Sequence, residues 1–221
     1  MGISWAAPNE LSNRSSLALS HDEGITWEIN REPLLPLGKP GDYDAGLTGS
    51  VCVLRTAPTE YRMWYTAGER YVKFGEVSRG IVHVGYGTSE DGIDWRKSGQ
   101  TALSPRLDTV QPFEAVVSKP SVILVGKTYH MWFSVYSMAG EVDSAGRGGY
   151  RLAYARFRDG LSWERFENRE ILLLSPDGFD SRTQSYPNPI EMEDELWMFY
   201  VGNDFGSTGI GLATLKKSDL R

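Results

Sequence analysis

Three observations predict an all-β protein built from one repeated antiparallel sheet. The segments Ser20-His21-Asp22-Glu23-Gly24-Ile25-Thr26-Trp27, Ser89-Glu90-Asp91-Gly92-Ile93-Asp94-Trp95 and Arg158-Asp159-Gly160-Leu161-Ser162-Trp163 superpose, and their tryptophans at 27, 95 and 163 stand 68 residues apart both times. The intervening segments are short, rich in aromatic and β-branched residues, and separated by Gly, Asp, Ser and Pro, which is how strands and tight turns read. No window of a dozen residues sustains the apolar spacing of an amphipathic helix.

The elements of each repeat follow in order. Strand A is an apolar run: Val51-Cys52-Val53-Leu54, Val122-Ile123-Leu124-Val125 and Pro189-Ile190-Glu191-Met192. Strand B is an aromatic column: Tyr61-Arg62-Met63-Trp64-Tyr65, Tyr129-His130-Met131-Trp132-Phe133 and Leu196-Trp197-Met198-Phe199-Tyr200. Strand C pairs small and aliphatic residues at Leu17 to Ser20, Val84 to Ser89, Leu152 to Ala155 and Ile210 to Thr214. Strand D begins near the Asp-Gly-x-x-Trp turn. Four strands per repeat make the blade of a β-propeller. On this reading the 221 residues form a single domain, with blade parts at 15–30, 45–100, 115–168 and 187–215. Propellers close with roughly 4 to 8 blades, so the sequence reads as an incomplete propeller. The favoured expectation is a missing N-terminal part. The other is self-association through open blade edges, because bare strand edges invite pairing.

Composition narrows the function. The 23 Lys and Arg against 29 Asp and Glu give a net charge of -6, which repels nucleic acid and anionic lipid. The apolar runs are far shorter than the roughly 20 residues of a membrane span. The start, Met1-Gly2-Ile3-Ser4-Trp5, has no basic segment followed by an apolar one, so the expected location is cytoplasmic. Cys52 is alone, and His21, His83 and His130 fall in different columns, so neither a disulfide nor a metal site is expected, and no cofactor.

An acid recurs before each strand A. Asp44, Glu114 and Asp180 follow the preceding block's tryptophan by 17, 19 and 17 residues. In an up-and-down meander the start of A, the end of B and the B-to-C loop lie on one face, so these acids and the loops around Arg70 and Tyr71, Tyr136 to Arg147, and Asn203 are expected to converge there. Variable loops on a rigid scaffold are where function concentrates.

With Ser89-x-Asp91-Gly92-x-x-Trp95, Tyr61-Arg62-Met63-Trp64-Tyr65-Thr66-Ala67, and Phe179-Asp180-Ser181 through Tyr186-Pro187 to Gly202-Asn203, the chain resembles the five-bladed propeller glycosidases. That superfamily includes arabinanases, β-xylosidases, invertase-like enzymes and mannoside phosphorylases. The resemblance implies action on a carbohydrate by carboxylate acid/base catalysis in an axial pocket. It makes Asp44, Glu114 and Asp180 the catalytic candidates, with Glu114 as general acid and Asp44 or Asp180 as base. Substrate-binding candidates are Arg70, Tyr71, Tyr136, Arg147, Tyr186, Asn188 and Asn203. The Trp-x-Asp-Pro and Arg-Asp-Pro motifs of the invertase branch are absent, so no substrate transfers from it. The alternative is a non-catalytic propeller module that binds saccharide or protein on the same face.

Several residues carry simpler readings. Asp22, Asp91 and Asp159 are expected to cap tight turns. Trp27, Trp64, Trp95, Trp132 and Trp163 are expected to pack between sheets. Gly146-Arg147-Gly148-Gly149 lacks the strand-to-helix setting of a phosphate loop and reads as a plain loop.

Overall fold

The computed structural model describes residues 14–74, 77–107, 114–137, 149–157, 162–166 and 171–220, with the backbone alone for 70–74, 77–79 and 137. The chain divides into two compact units, residues 1–102 and 103–221. Both are built of antiparallel strands, and no helix among the described residues is long and apolar enough to cross a membrane.

In the first unit, β1 (Ser16–Leu19) and β2 (Glu28–Pro33) form a two-stranded sheet. A meander follows of β3 (Leu47–Ala57), β4 (Glu60–Phe74), β5 (Val77–Ser89) and β6 (Arg96–Leu103), each paired with the next. These four are strands A to D. The second unit repeats the plan with β7 (Glu114–Val125), β8 (Thr128–Ser137), β9 (Tyr150–Phe157) and a short β10 (Glu164–Arg165). A three-stranded sheet of β11 (Ser185–Glu191), β12 (Glu195–Val201) and β13 (Ile210–Lys216) completes it.

The aromatic B column makes the core because strand B is flanked by A and C and covered on both faces. Met63, Trp64 and Tyr65 are each 0% exposed, so β4 reads as a continuous apolar run rather than an alternating one. Each such side chain contributes roughly 1.5–3 kcal/mol on burial. In the first unit Leu35 packs with Met63, Tyr65 and Ala67. In the second, Trp132, Leu152 and Tyr154 of one sheet pack with Leu196, Met198 and Tyr200 of the other.

One close approach explains two glycines of strand C. Tyr65 pairs with Gly85 and Tyr200 with Gly211. A Cβ at either glycine would overlap the tyrosine ring, so the missing side chain lets the ring lie flat across its neighbour. The middle blade has Phe133 opposite Ala153 instead.

The Asp turns hold as expected where they are described. Asp22 accepts from the Thr26 amide at 2.9 Å, the Thr26 hydroxyl at 2.6 Å and the Ser20 hydroxyl at 2.8 Å. Led by the Thr26 hydroxyl, these bonds hold its carboxyl down to about 2. Asp91 accepts from the amides of Ile93 and Asp94, both at 2.8 Å. Asp159 lies outside the described residues.

Trp27 departs from expectation. It is 58% exposed, and its indole N–H donates to the Gly24 carbonyl at 2.9 Å, so it closes its own turn rather than packing between sheets.

Strand A also differs from its apolar run. Each A strand begins earlier, at Leu47, Glu114 and Ser185, and each breaks register at a matching place, between Gly49 and Cys52, Ser118 and Ser121, and Ser185 and Asn188, while β3 and β7 each break once more, between Arg55 and Ala57 and between Glu114 and Val116. The apolar run marks chiefly the part beyond the matching bulge. Before it lie small residues such as Thr48 and Gly49, or Ser118, buried without being strongly apolar. Inside each of the three matching breaks one non-glycine residue has positive φ: Ser50 at 47°, Lys119 at 52° and Tyr186 at 57°. That left-handed conformation costs roughly 1–2 kcal/mol per residue.

Candidate functional site

Each sequence-predicted acid is buried and tied into its own blade. Asp44 is 2% exposed, and its Oδ2 accepts from the Lys97 ammonium at 2.7 Å and the Tyr65 hydroxyl at 3.1 Å. Lys97 also donates to the Pro36 carbonyl at 2.9 Å, and the hydroxyls of Tyr43 and Tyr65 stand 2.9 Å apart. The segment before β3 is thereby fastened to strands B and D. Burial pushes the phenols of Tyr43 and Tyr65 up.

Glu114, the first residue of β7, receives a two-pronged guanidinium. Arg165 Nη1 donates to Oε2 at 2.7 Å and Nη2 to Oε1 at 2.5 Å, while the Arg106 amide reaches Oε2 at 3.2 Å. Arg165 also lies over the Phe133 ring, 5.2 Å from its centroid. In the middle blade an arginine on strand D thus occupies the place over the ring that has no hydroxyl. Lys97 and Arg165 were not among the sequence candidates, yet a signal was present: they stand 68 residues apart, each two after its block's tryptophan.

Asp180 is 2% exposed, and its Oδ2 accepts from Gln184 Nε2 at 2.9 Å and the Tyr200 hydroxyl at 2.8 Å. Burial pushes its carboxyl up, but hydrogen bonds from Ser175, Gln184 and Tyr200 together outweigh burial and leave it below its ordinary value. Burial and the same contact push the Tyr200 phenol up to about 12. Among the described contacts, no polar partner is shared by any two of the three acids.

The binding candidates separate into four groups. Tyr136 and Tyr186 belong to an aromatic cluster in the second unit. Tyr136 meets Tyr150 edge-on at 5.1 Å, Tyr150 meets Phe205 at 5.8 Å, and Phe205 meets Tyr186 at 6.3 Å between ring centroids. The Lys119 ammonium sits 4.6 Å from the centre of the Tyr186 ring. Tyr186 is 37% exposed and Phe205 63%, so both rings present surface to solvent. Phe205 and Tyr150 were missed because neither belongs to a repeated column.

Asn203 is a framework residue. Its Oδ1 accepts from the amides of Arg182 and Thr183 at 2.7 and 2.9 Å, and its Nδ2 donates to the Gly178 carbonyl and the Ser181 hydroxyl, both at 3.3 Å. It fixes the turn in which Asp204 and Phe205 both adopt positive φ, 53° and 56°. Arg182 pairs with Asp204 at 2.7 Å beside that turn. Asn188 is exposed on β11, opposite Phe199 in register. The side chains of Arg70 and Tyr71, and the whole of Arg147, lie outside the described residues. Among the described residues no three His, Cys, Asp or Glu are grouped to hold a metal ion.

No family model matches the chain. Two uncharacterized proteins, from two strains of Mycobacterium tuberculosis, are each 32% identical over 158 residues, or 71% of this chain and 47% of theirs. The chain spans about half the length of these curated relatives. Among solved structures, a glycoside hydrolase superposes with a TM-score of 0.68 at 19% identity, covering 95% of this chain and 60% of that one. A thermostable family-43 glycoside hydrolase gives 0.66 at 17%, covering 94% and 65%. A family 117 glycoside hydrolase of the marine bacterium Zobellia galactanivorans gives 0.61 at 16%, covering 76% and 52%. The chain therefore has the fold of the β-propeller glycoside hydrolases, with blades of four-stranded antiparallel type.

Proposed function

We propose that the protein acts on a carbohydrate, and that the second unit supplies a saccharide-recognising face presented by Tyr186 and Phe205 and backed by Tyr136 and Tyr150. The observation that carries this reading is the exposure of Phe205 and Tyr186 at the end of the blade where strand A begins and strand B ends. Pyranose rings present apolar C–H faces, and exposed aromatic rings held rigidly are what such faces stack on. Phe205 is held by a strained turn that Asn203 fixes from below, so its position is set before a ligand arrives.

Hydrolysis by Asp44, Glu114 and Asp180 is the second reading, favoured by the recurrence of one acid before each strand A. It requires one of the three to enter the reaction protonated. The contacts support another division of labour: Asp44 and Glu114, each bound to a cation of its own blade, act as structural staples, and Asp180 is a carboxylate held ionised.

Saturation-transfer NMR and calorimetry with the methyl glycosides of glucose, mannose, galactose and arabinose test the recognition reading. Binding is expected for at least one, weakened tenfold or more in Phe205→Ala. Absence of binding across the four, or binding untouched by that change, overturns it.

A further inference from the structure

We infer that the residue at the left-handed step of each A strand is a saccharide-contacting position, with Lys119 and Tyr186 acting as a pair in the second unit and Ser50 as their counterpart in the first. This rests on the reading of the second unit's aromatic face as a carbohydrate site.

The conformation recurs at one structural position. Of the six described non-glycine residues with positive φ, three are these bulge residues, and two more, Asp204 and Phe205, form the adjoining B-to-C turn. Only Glu23 lies elsewhere, in the turn of the Asp22 box. Strain of this kind persists where the surroundings enforce it, and an outlier is a pointer to function.

Glycine would relieve the strain, yet the sequence does not use it at these steps. In β3 a glycine stands immediately before the strained position, at Gly49, while Ser50 keeps its side chain. Lys119 and Tyr186 each precede a proline, Pro120 and Pro187, which drives the preceding residue toward extended backbone. Both therefore run against two preferences at once.

The bulge also changes where the side chain goes. Gly49, Ser118 and Ser185, each one residue earlier, are buried, whereas Ser50 and Lys119 are half-buried and Tyr186 is exposed. A bulge re-aims one side chain out of the pleat. In the second unit the two re-aimed groups meet, the Lys119 ammonium over the Tyr186 ring, with Phe205 on the ring's edge. The backbone at Tyr186 is anchored by its amide donating to the Ser134 hydroxyl at 3.0 Å. Lys119 brings donors for sugar oxygens and Tyr186 brings a hydroxyl and ring surface. Burial pushes the Lys119 ammonium down, in keeping with a partly desolvated site.

The experiment compares Lys119→Gly and Tyr186→Gly with the parent in the full chain, reading affinity for the same four methyl glycosides and thermal stability together. Each variant is expected to lose affinity tenfold or more while its Tm stays within about 5 °C of the parent or rises, because glycine releases the strained backbone. Affinity within twofold of the parent in both variants overturns the inference. So does a Tm fall beyond that margin, which marks the side chains as packing groups. A parent that binds none of the glycosides instead removes the carbohydrate reading itself, so the two failures are told apart.

Discussion

Replacing Glu114 by Gln separates the two roles open to that residue. The carboxylate and its partner Arg165 have side chains only 8% and 11% exposed, and two hydrogen bonds join them. Gln keeps the shape but removes the charge, leaving a guanidinium buried without its counter-ion. Losing one member of a buried pair costs about 3–5 kcal/mol. In a chain of this size each kcal/mol moves Tm by about 2–4 °C, so the expected fall is on the order of 6–20 °C. The companion Arg165→Met removes the other charge, and the double variant should recover part of the loss, because no buried charge is then left without its counter-ion, although the Gln amide stays unpaired. Thermal and urea unfolding followed by circular dichroism measure all four corners of that cycle. A Glu114→Gln protein as stable as the parent to within about 0.5 kcal/mol, yet unable to turn over a glycoside that the parent cleaves, would refute the staple and restore Glu114 as a proton donor.

Other consequences follow from the same contacts. Gly85→Ala drives a methyl group into the fully buried Tyr65 ring and should cost about 1–3 kcal/mol by overpacking. The hydroxyl bond to Asp44 is lost in addition, and a variant with parent stability in urea would show that the ring does not lie on the glycine. The carboxyl of Asp180 lies below its ordinary 3.8 in the folded protein. Its contribution is therefore complete above that value and disappears as pH falls through the lower folded value. Asp180→Asn should accordingly flatten the acid limb of the stability curve below about pH 4, and an unchanged limb by acid titration of the folded signal would contradict the assignment.

What the sequence made legible was whatever repeats. The 68-residue period exposed the sheets, the Asp22 and Asp91 turns and the aromatic B column, because each blade solves the same burial problem with the same residue types. The acid column was equally legible, and Lys97 and Arg165 left a repeat signal, but the pairing between them and the acids did not. Whether Asp44 faces a cavity or a cation depends on where Lys97 reaches across the sheet, and a contact spanning 53 positions leaves no local pattern. The bulges were hidden for another reason. A left-handed residue announces itself in sequence when it is Gly or Asn, and here it is Ser, Lys or Tyr. Phe205 was invisible because its exposure comes from a turn at Asp204 and Phe205 that no repeated column marks.

The three blades show how one scaffold accepts different chemistry at a fixed address. In the first and last, an Asp before strand A accepts from a strand B tyrosine, and the facing strand C residue is glycine so that the ring can cross it. In the middle blade the acid is one methylene longer, the ring is Phe133 without a hydroxyl, and the facing residue is Ala153. A phenylalanine cannot donate to the carboxylate, and Arg165 does so from above the same ring. The glutamate is therefore explained by its partners: it meets a guanidinium where Asp180 meets a phenol and Asp44 a phenol together with the Lys97 ammonium. This covariation of acid, ring, facing residue and cation within one blade is what a packing solution produces. Exchanging the whole set, with Glu114→Asp, Phe133→Tyr, Ala153→Gly and Arg165→Lys together, should therefore give a blade more stable than Glu114→Asp alone by about 1–3 kcal/mol in urea unfolding. Equal stability of the two would show that the four positions are independent.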